Sequence, residues 1–254
     1  MSPTTLLEAD RVSKHFAGIT ALSGASLRVD EGEIVGLIGP NGAGKTTLFD
    51  CIYGYLRPDG GQVRFCGESL IGQRIHQRAR LGIGRTFQRI ELFTGTSVRD
   101  HLLVAERSRQ DTGGLWRDLR GKGRPTAEEL ERVDEVLDLL GLLALADRPI
   151  EALTLGKARL VELGRALMIE PRLLLLDEPS SGLDGDETLA MGAVLARVRE
   201  ERHLAILLVE HDVELVRSVT SRLYVLDFGT LIAEGATDVV LGDEAVRKAY
   251  LGST

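Results

Sequence analysis

An apolar stretch, Ile34 to Ile38, runs straight into Gly39-Pro40-Asn41-Gly42-Ala43-Gly44-Lys45-Thr46, and a helical pattern from Thr46 to Tyr53 follows at once. No other feature constrains the fold as strongly. The eight residues fit G-x-x-x-x-G-K-[ST] in a strand, loop and helix context, where glycines let the main chain curl until successive N–H groups point inward at phosphate oxygens. The helix N-terminus adds a favourable dipole. Lys45 is then placed to reach β- and γ-phosphates as a mobile point charge, and the Thr46 hydroxyl to coordinate a magnesium ion bridging them. Gly39 to Thr46, with Thr47, form the candidate nucleotide-binding set.

Leu173-Leu174-Leu175-Leu176 ends in Asp177-Glu178, a buried strand finishing in two acids. With a phosphate loop in the same chain, Asp177 is the candidate to hold magnesium through its water shell. Glu178 is the candidate to accept a proton from the attacking water.

The chain has 254 residues, enough for one large domain or a core with a smaller lobe. Residues 1 to 90 alternate short apolar runs (Leu6 to Val12, Ala25 to Val29, Gln62 to Phe65) with turns. From Ser97 to Leu167 the apolar positions recur at helical spacing, and a helix is expected over Ala158 to Ile169. Within that stretch Arg107 to Pro125, glycine-rich and charged around Trp116, reads as a mobile insertion. Leu173 to Leu176, Ala205 to Val209 and Leu223 to Leu226 then return as strands buried on both faces, the pattern of an α/β layer. Asp227-Phe228-Gly229 reads as a hairpin turn.

A net charge of -7 argues against a general nucleic-acid coat protein. The aliphatic runs fall well short of the roughly 20 residues of a membrane-spanning helix. Residues 1 to 10 lack the pattern of a secretory signal, so a cytoplasmic chain is expected. Cys51 and Cys66 form no paired motif and are expected as small core hydrophobes.

In order along the chain, these motifs resemble the ATP-binding subunits of ABC transporters. The resemblance implies a phosphate-loop NTPase core of the ABC ATPase type, an α/β fold with an N-terminal antiparallel β subdomain and a helical lobe. Residues 1–92 and 168–254 would be the core, and 93–167 the lobe with its insertion 107–125. It also implies that Gln88, in Thr86-Phe87-Gln88, ligates magnesium and senses the γ-phosphate, that His211 contacts that phosphate, and that Phe16 stacks on adenine. The cofactors would be ATP and Mg2+. Ser181-Gly182-Leu183-Asp184 matches the loop that crosses to a second subunit, with a plain turn as the other reading. Leu153-Thr154-Leu155-Gly156-Lys157 stands where the family has Leu-Ser-Gly-Gly-Gln, a segment completing the ATP site of the opposite subunit. Leu155 and Lys157 depart from that pattern. One consequence is an asymmetric pair in which this signature works less well than its partner's; the other is that a bulky residue at 155 is ordinary for its branch.

Gly82 to Gln88, Val209-Glu210-His211-Asp212, Leu231 to Gly235 and Ala249-Tyr250-Leu251-Gly252 are similar to the branched-chain amino acid importer ATPases. That branch implies a second ABC ATPase subunit, integral-membrane permease subunits and, indirectly, a solute-binding protein, with no nucleic acid and a place on the inner face of the cell membrane. Urea or amide import and lipopolysaccharide export remain as alternatives, as do a soluble ABC ATPase and a binding-only module.

Overall fold

A computed structural model describes residues 4–86, 93–109 and 124–251. Its strands follow from short β-rich runs: β1 (Thr5–Phe16), β2 (Ile19–Asp30), β3 (Ile34–Ile38), β4 (Gly60–Phe65) and β5 (Glu68–Ser69) come first. After them come β6 (Ile83–Arg85), β7 (Leu173–Asp177), β8 (Ala205–Val209), β9 (Arg222–Asp227) and β10 (Thr230–Ala236). β1 and β2 run beyond the apolar stretches at 6–12 and 25–29, because pairing continues to Phe16 opposite Ile19 at a two-residue turn. That turn uses Ala17 and Gly18 at φ 42° and 91°, a left-handed pair whose twist suits a hairpin. The 227–229 hairpin turn stands as expected, with Phe228 and Gly229 at φ 41° and 78° between β9 and β10.

Two sheets result. β2-β1-β4-β5 is antiparallel. The second has the order β10-β9-β3-β8-β7-β6, parallel throughout except that β10 runs antiparallel to β9. Side chains of a strand point alternately to opposite faces, and the aliphatic strands show it. Leu173, Leu175, Leu207 and Val209 share one apolar core with β1, β4 and α1 (Lys45–Tyr53). Leu174, Leu176, Ile206 and Leu208 share another with α3 (Val98–Arg109), α4 (Ala127–Leu139), α5 (Leu155–Leu167) and α6 (Gly185–Arg202). The parallel sheet is therefore dry on both faces, the arrangement of an α/β fold.

The remaining helices are α2 (Ile75–Arg80), α7 (Val213–Val219), α8 (Thr237–Gly242) and α9 (Glu244–Leu251). No helix among the described residues is long and apolar enough to cross a membrane. Helix α5 starts at Leu155, three residues before the expected Ala158, because the Thr154 hydroxyl accepts the Lys157 amide at 3.4 Å and caps the turn. Leu155, Gly156 and Lys157 are thus the first helical turn and not a loop ahead of it. Cys51 is buried as expected, whereas Cys66 is exposed at φ 51° between β4 and β5. Its position in a turn, away from either sheet face, overrides the small-hydrophobe tendency.

Candidate functional site

The loop leaving β3 is shaped by close approach. A Cβ at Gly39 would lie 2.1 Å from the Leu226 carbonyl oxygen, and one at Gly44 2.5 Å from that of Ala21, with Gly44 at φ 102°. Only glycine fits either place. The β9–β10 turn pins the loop from below: the Gly229 amide donates to the Ala43 carbonyl at 2.9 Å, and the Ser23 amide to the Gly229 carbonyl at 2.8 Å. Asn41, Gly42, Ala43, Gly44, Lys45, Thr46 and Thr47 then line an open pocket of about 460 Å³, closed by Ile19 to Ala21, Glu178 and Phe228. That volume accommodates a nucleotide-sized ligand.

Lys45 is buried, and its ammonium donates to the carbonyls of Gly39 and Pro40 at 2.5 and 3.0 Å. Burial pulls its pKa below the ordinary lysine value, while the nearby Glu178 and Asp177 carboxylates pull the other way. Gly39 and Pro40 therefore meet the lysine through their carbonyls.

Asp177 ends β7, opposite Val209 of β8. Burial pushes its carboxyl above the usual range, and the Arg85 guanidinium, 3.3 Å away, opposes that shift. Arg85 also pairs with Asp50 of α1 at 2.6 Å and lies 5.2 to 5.4 Å from the ring centres of Phe49, Tyr53 and Tyr55. One cation thus ties the loop's helix to the acidic strand. Glu178 follows at φ 49°, a left-handed conformation uncommon for a residue other than glycine and held where the surroundings determine it. Its amide donates to the Val209 carbonyl at 2.9 Å. The Thr46 hydroxyl group and the Asp177 carboxylate offer oxygen donors only, a set suited to a hard cation such as magnesium that retains much of its water.

The fold brings Lys45, Thr46 and Glu178 to one pocket, with Asp177 close enough to act on the lysine. His211 is exposed at the end of β8, its Nδ1 3.8 Å from the Glu210 carboxylate. Phe16 is 42% exposed with the Lys14 ammonium 5.5 Å from its ring centre; its hairpin partner Ile19 lines the pocket, and Phe16 does not. Gln88 lies outside the described residues, as do positions 110–123 of the expected insertion.

The signature segment divides between its own chain and the surface, with Thr154, Leu155 and Lys157 exposed. Gly156 is buried, and its amide donates to the Glu187 carboxylate at 3.2 Å. Leu155 packs toward Gly182, Leu153 joins the helical core, and Lys157 is exposed. Asp184 caps α6 by accepting the Glu187 amide at 2.8 Å.

Sequence reasoning missed four residues here. Phe228, 87% exposed on the pocket rim, was read only as part of a turn. Arg85, Glu187 and Glu210 act through partners distant in sequence, and although Arg85 and Glu210 fall within family-like stretches, no local pattern marks their roles.

The family model for ABC transporters matches residues 22–181. The chain belongs to the ABC transporter family. Within it, this cassette is of the nucleotide-binding, ATP-hydrolysing kind, and a second model, the branched-chain amino acid ATP-binding cassette transporter, matches residues 230–254. The cassette is 37% identical to the high-affinity branched-chain amino acid transport ATP-binding protein BraF of Pseudomonas aeruginosa, over 97% of this chain and 98% of the relative. It is 38% identical, with the same coverage, to the protein of that description named LivG in Escherichia coli strain K12. Among solved structures, the ADP conformation of MJ1267, an ATP-binding cassette of an ABC transporter, superposes with a TM-score of 0.87 at 32% identity, covering 98% of this chain and 99% of the other.

Proposed function

We propose that this cassette hydrolyses ATP to power import of branched-chain or closely related amino acids. The observation that carries the substrate class is the match of residues 230–254, the β10–α9 end of the chain, to the family model described as a branched-chain amino acid ATP-binding cassette transporter. The likeness to BraF and LivG over nearly the full length supports it.

In this reading the 39–47 loop wraps the phosphates by its amides. Lys45 exchanges its contacts with the Gly39 and Pro40 carbonyls for phosphate oxygens. Burial makes that exchange favourable, because a desolvated ammonium gains more from an anion than from two carbonyls. Thr46, Asp177 and Gln88 would hold magnesium, which when bound neutralises phosphate charge. Glu178 takes the proton of the attacking water, and His211 and Gln88 contact the γ-phosphate. Phe16 stacks on the base.

Leu153 to Lys157 and Asp184 would serve the nucleotide held by a second cassette, so that ATP is an interfacial ligand. Loss of the γ-phosphate contacts lets the pair separate, and the motion passes through the region of Gln88 to permease subunits at the inner face of the membrane. A solute-binding protein would deliver the amino acid.

The test is reconstitution of the cassette with its co-purifying permease chains, followed by ATP turnover with binding protein loaded with leucine, with urea, or left unloaded. Stimulation by leucine alone is expected. Stimulation by urea alone, or none while lipopolysaccharide stimulates, would overturn the substrate assignment. Glu178→Gln in the same complex should retain ATP binding and lose turnover; turnover at the parent rate would remove Glu178 from the general-base role.

A further inference from the structure

The two loops that carry Glu178 and His211 leave the sheet from adjacent strands, β7 and β8, and one side chain joins them. Glu210 follows β8 directly and is fully buried. One of its carboxylate oxygens accepts the Ser180 amide at 2.9 Å. The other accepts the amides of His211 at 3.0 Å and Asp212 at 3.3 Å. Among the ion pairs of the described residues, its one partner is the His211 ring at 3.8 Å.

A buried carboxylate without a strong counter-cation is costly unless main-chain donors satisfy it, and here three do. Those donors come from two loops, so the carboxylate measures the distance between them. Glu178 lies between two anchors that β8 and its following residue supply: the Val209 carbonyl holds its own amide at 2.9 Å, and Glu210 holds Ser180, two residues on. This bracket sits around the φ 49° backbone of Glu178. The same carboxylate sets the first turn of the His211 loop.

We propose that Glu210 is a positioning residue that keeps Glu178 and His211 in mutual register, so that both meet the same γ-phosphate. Its carboxylate is fully buried and engaged by main-chain amides, so it acts through the two loops it joins. The inference rests on the ATPase reading above and deepens it: the proton acceptor and the phosphate-contacting histidine are one mechanically coupled unit. Asp212 strengthens the link, because its own carboxylate accepts the Leu215 amide at 2.8 Å and caps α7.

Glu210→Gln keeps shape and removes charge and one acceptor, while Glu210→Asp keeps charge and shortens the reach. Each is made in the cassette of the reconstituted permease complex, in the parent and in a His211→Ala background. ATP and ADP affinity, kcat, KM and melting temperature are measured with magnesium present. Expected is a kcat lowered about tenfold or more with KM and both nucleotide affinities within about threefold of the parent. In the His211→Ala background the same change should lower kcat less than about threefold, because the coupling it serves is already lost.

Equal losses of kcat in both backgrounds, or an unchanged kcat, would overturn the proposal. So would failure of both Glu210 variants to fold, which would make the residue one of stability alone. Absence of turnover in the parent would overturn the ATPase reading and this inference together, which separates the two failures.

Discussion

The Gly156 amide, in the first turn of α5, donates across 3.2 Å to the carboxylate of Glu187 in the first turn of α6. A Cβ added at Gly156 would stand 2.9 Å from the Glu187 carboxyl carbon and Oε1, close enough to force that side chain away. Gly156→Ala should therefore cost about 1 kcal/mol despite the better helix propensity of alanine. The double change Gly156→Ala with Glu187→Ala should recover most of that loss, so chemical denaturation of all four variants would show strong non-additivity. Additive effects would mean that the two residues do not meet.

Arg85 stands between Asp50 and Asp177, at 2.6 and 3.3 Å, with its own side chain almost wholly buried. Replacing it by methionine leaves both carboxylates without their cation and should destabilise the chain by about 3 kcal/mol at neutral pH. Asp50→Asn, which leaves the charge pair with Asp177, should cost less than half of that. Urea denaturation at pH 7 checks the order; an equal loss for the two variants would contradict it.

Burial pushes the Cys51 thiol up to about 11, while Cys66 is exposed. Only the thiolate reacts with alkylating and disulfide reagents. Native protein at pH 8 is expected to take up one equivalent of a disulfide reagent, lost in Cys66→Ser, and a second only after denaturation. Two equivalents in the native state would show that the core around Cys51 opens.

Thr126 and Glu129 cap α4 reciprocally, the Thr126 hydroxyl accepting one amide and the Glu129 carboxylate the other. Thr126→Ala should cost about 1 kcal/mol. Burial pushes the Glu129 carboxyl up, but the Arg107 guanidinium and the Thr126 amide outweigh it, so its pKa lies below the ordinary value. A depressed carboxyl contributes stability above its unfolded pKa and loses it as pH falls through the folded one. The parent should thus lose stability below about pH 4 more steeply than Glu129→Gln. Parallel curves would remove Glu129 from that account.

What could be read from sequence was what neighbours in sequence decide. The strand before Gly39, the helix after it, the acids at the end of β7 and the 227–229 turn each depend on a few consecutive residues. α5 starts at Leu155 and not at the expected Ala158 because the Thr154 hydroxyl caps it three residues earlier, drawing the signature residues into the first turn. Arg85 and Glu210 stand inside family-like stretches and Glu187 does not, but the roles of all three stayed illegible for a different reason. Their partners lie 92, 31 and 30 residues away, and no periodicity carries such information.

The strand that bears the phosphate loop, β3, is flanked in the sheet by β8 and β9, both from the last quarter of the sequence. A ribosome therefore releases the loop long before its neighbours exist. During that interval, on the order of ten seconds or more at usual elongation rates, the nascent chain carries an apolar strand with two open edges. Nucleotide cannot be gripped until residue 227 has emerged and seated, so chains ending short of β9 should occupy chaperones and bind no ATP.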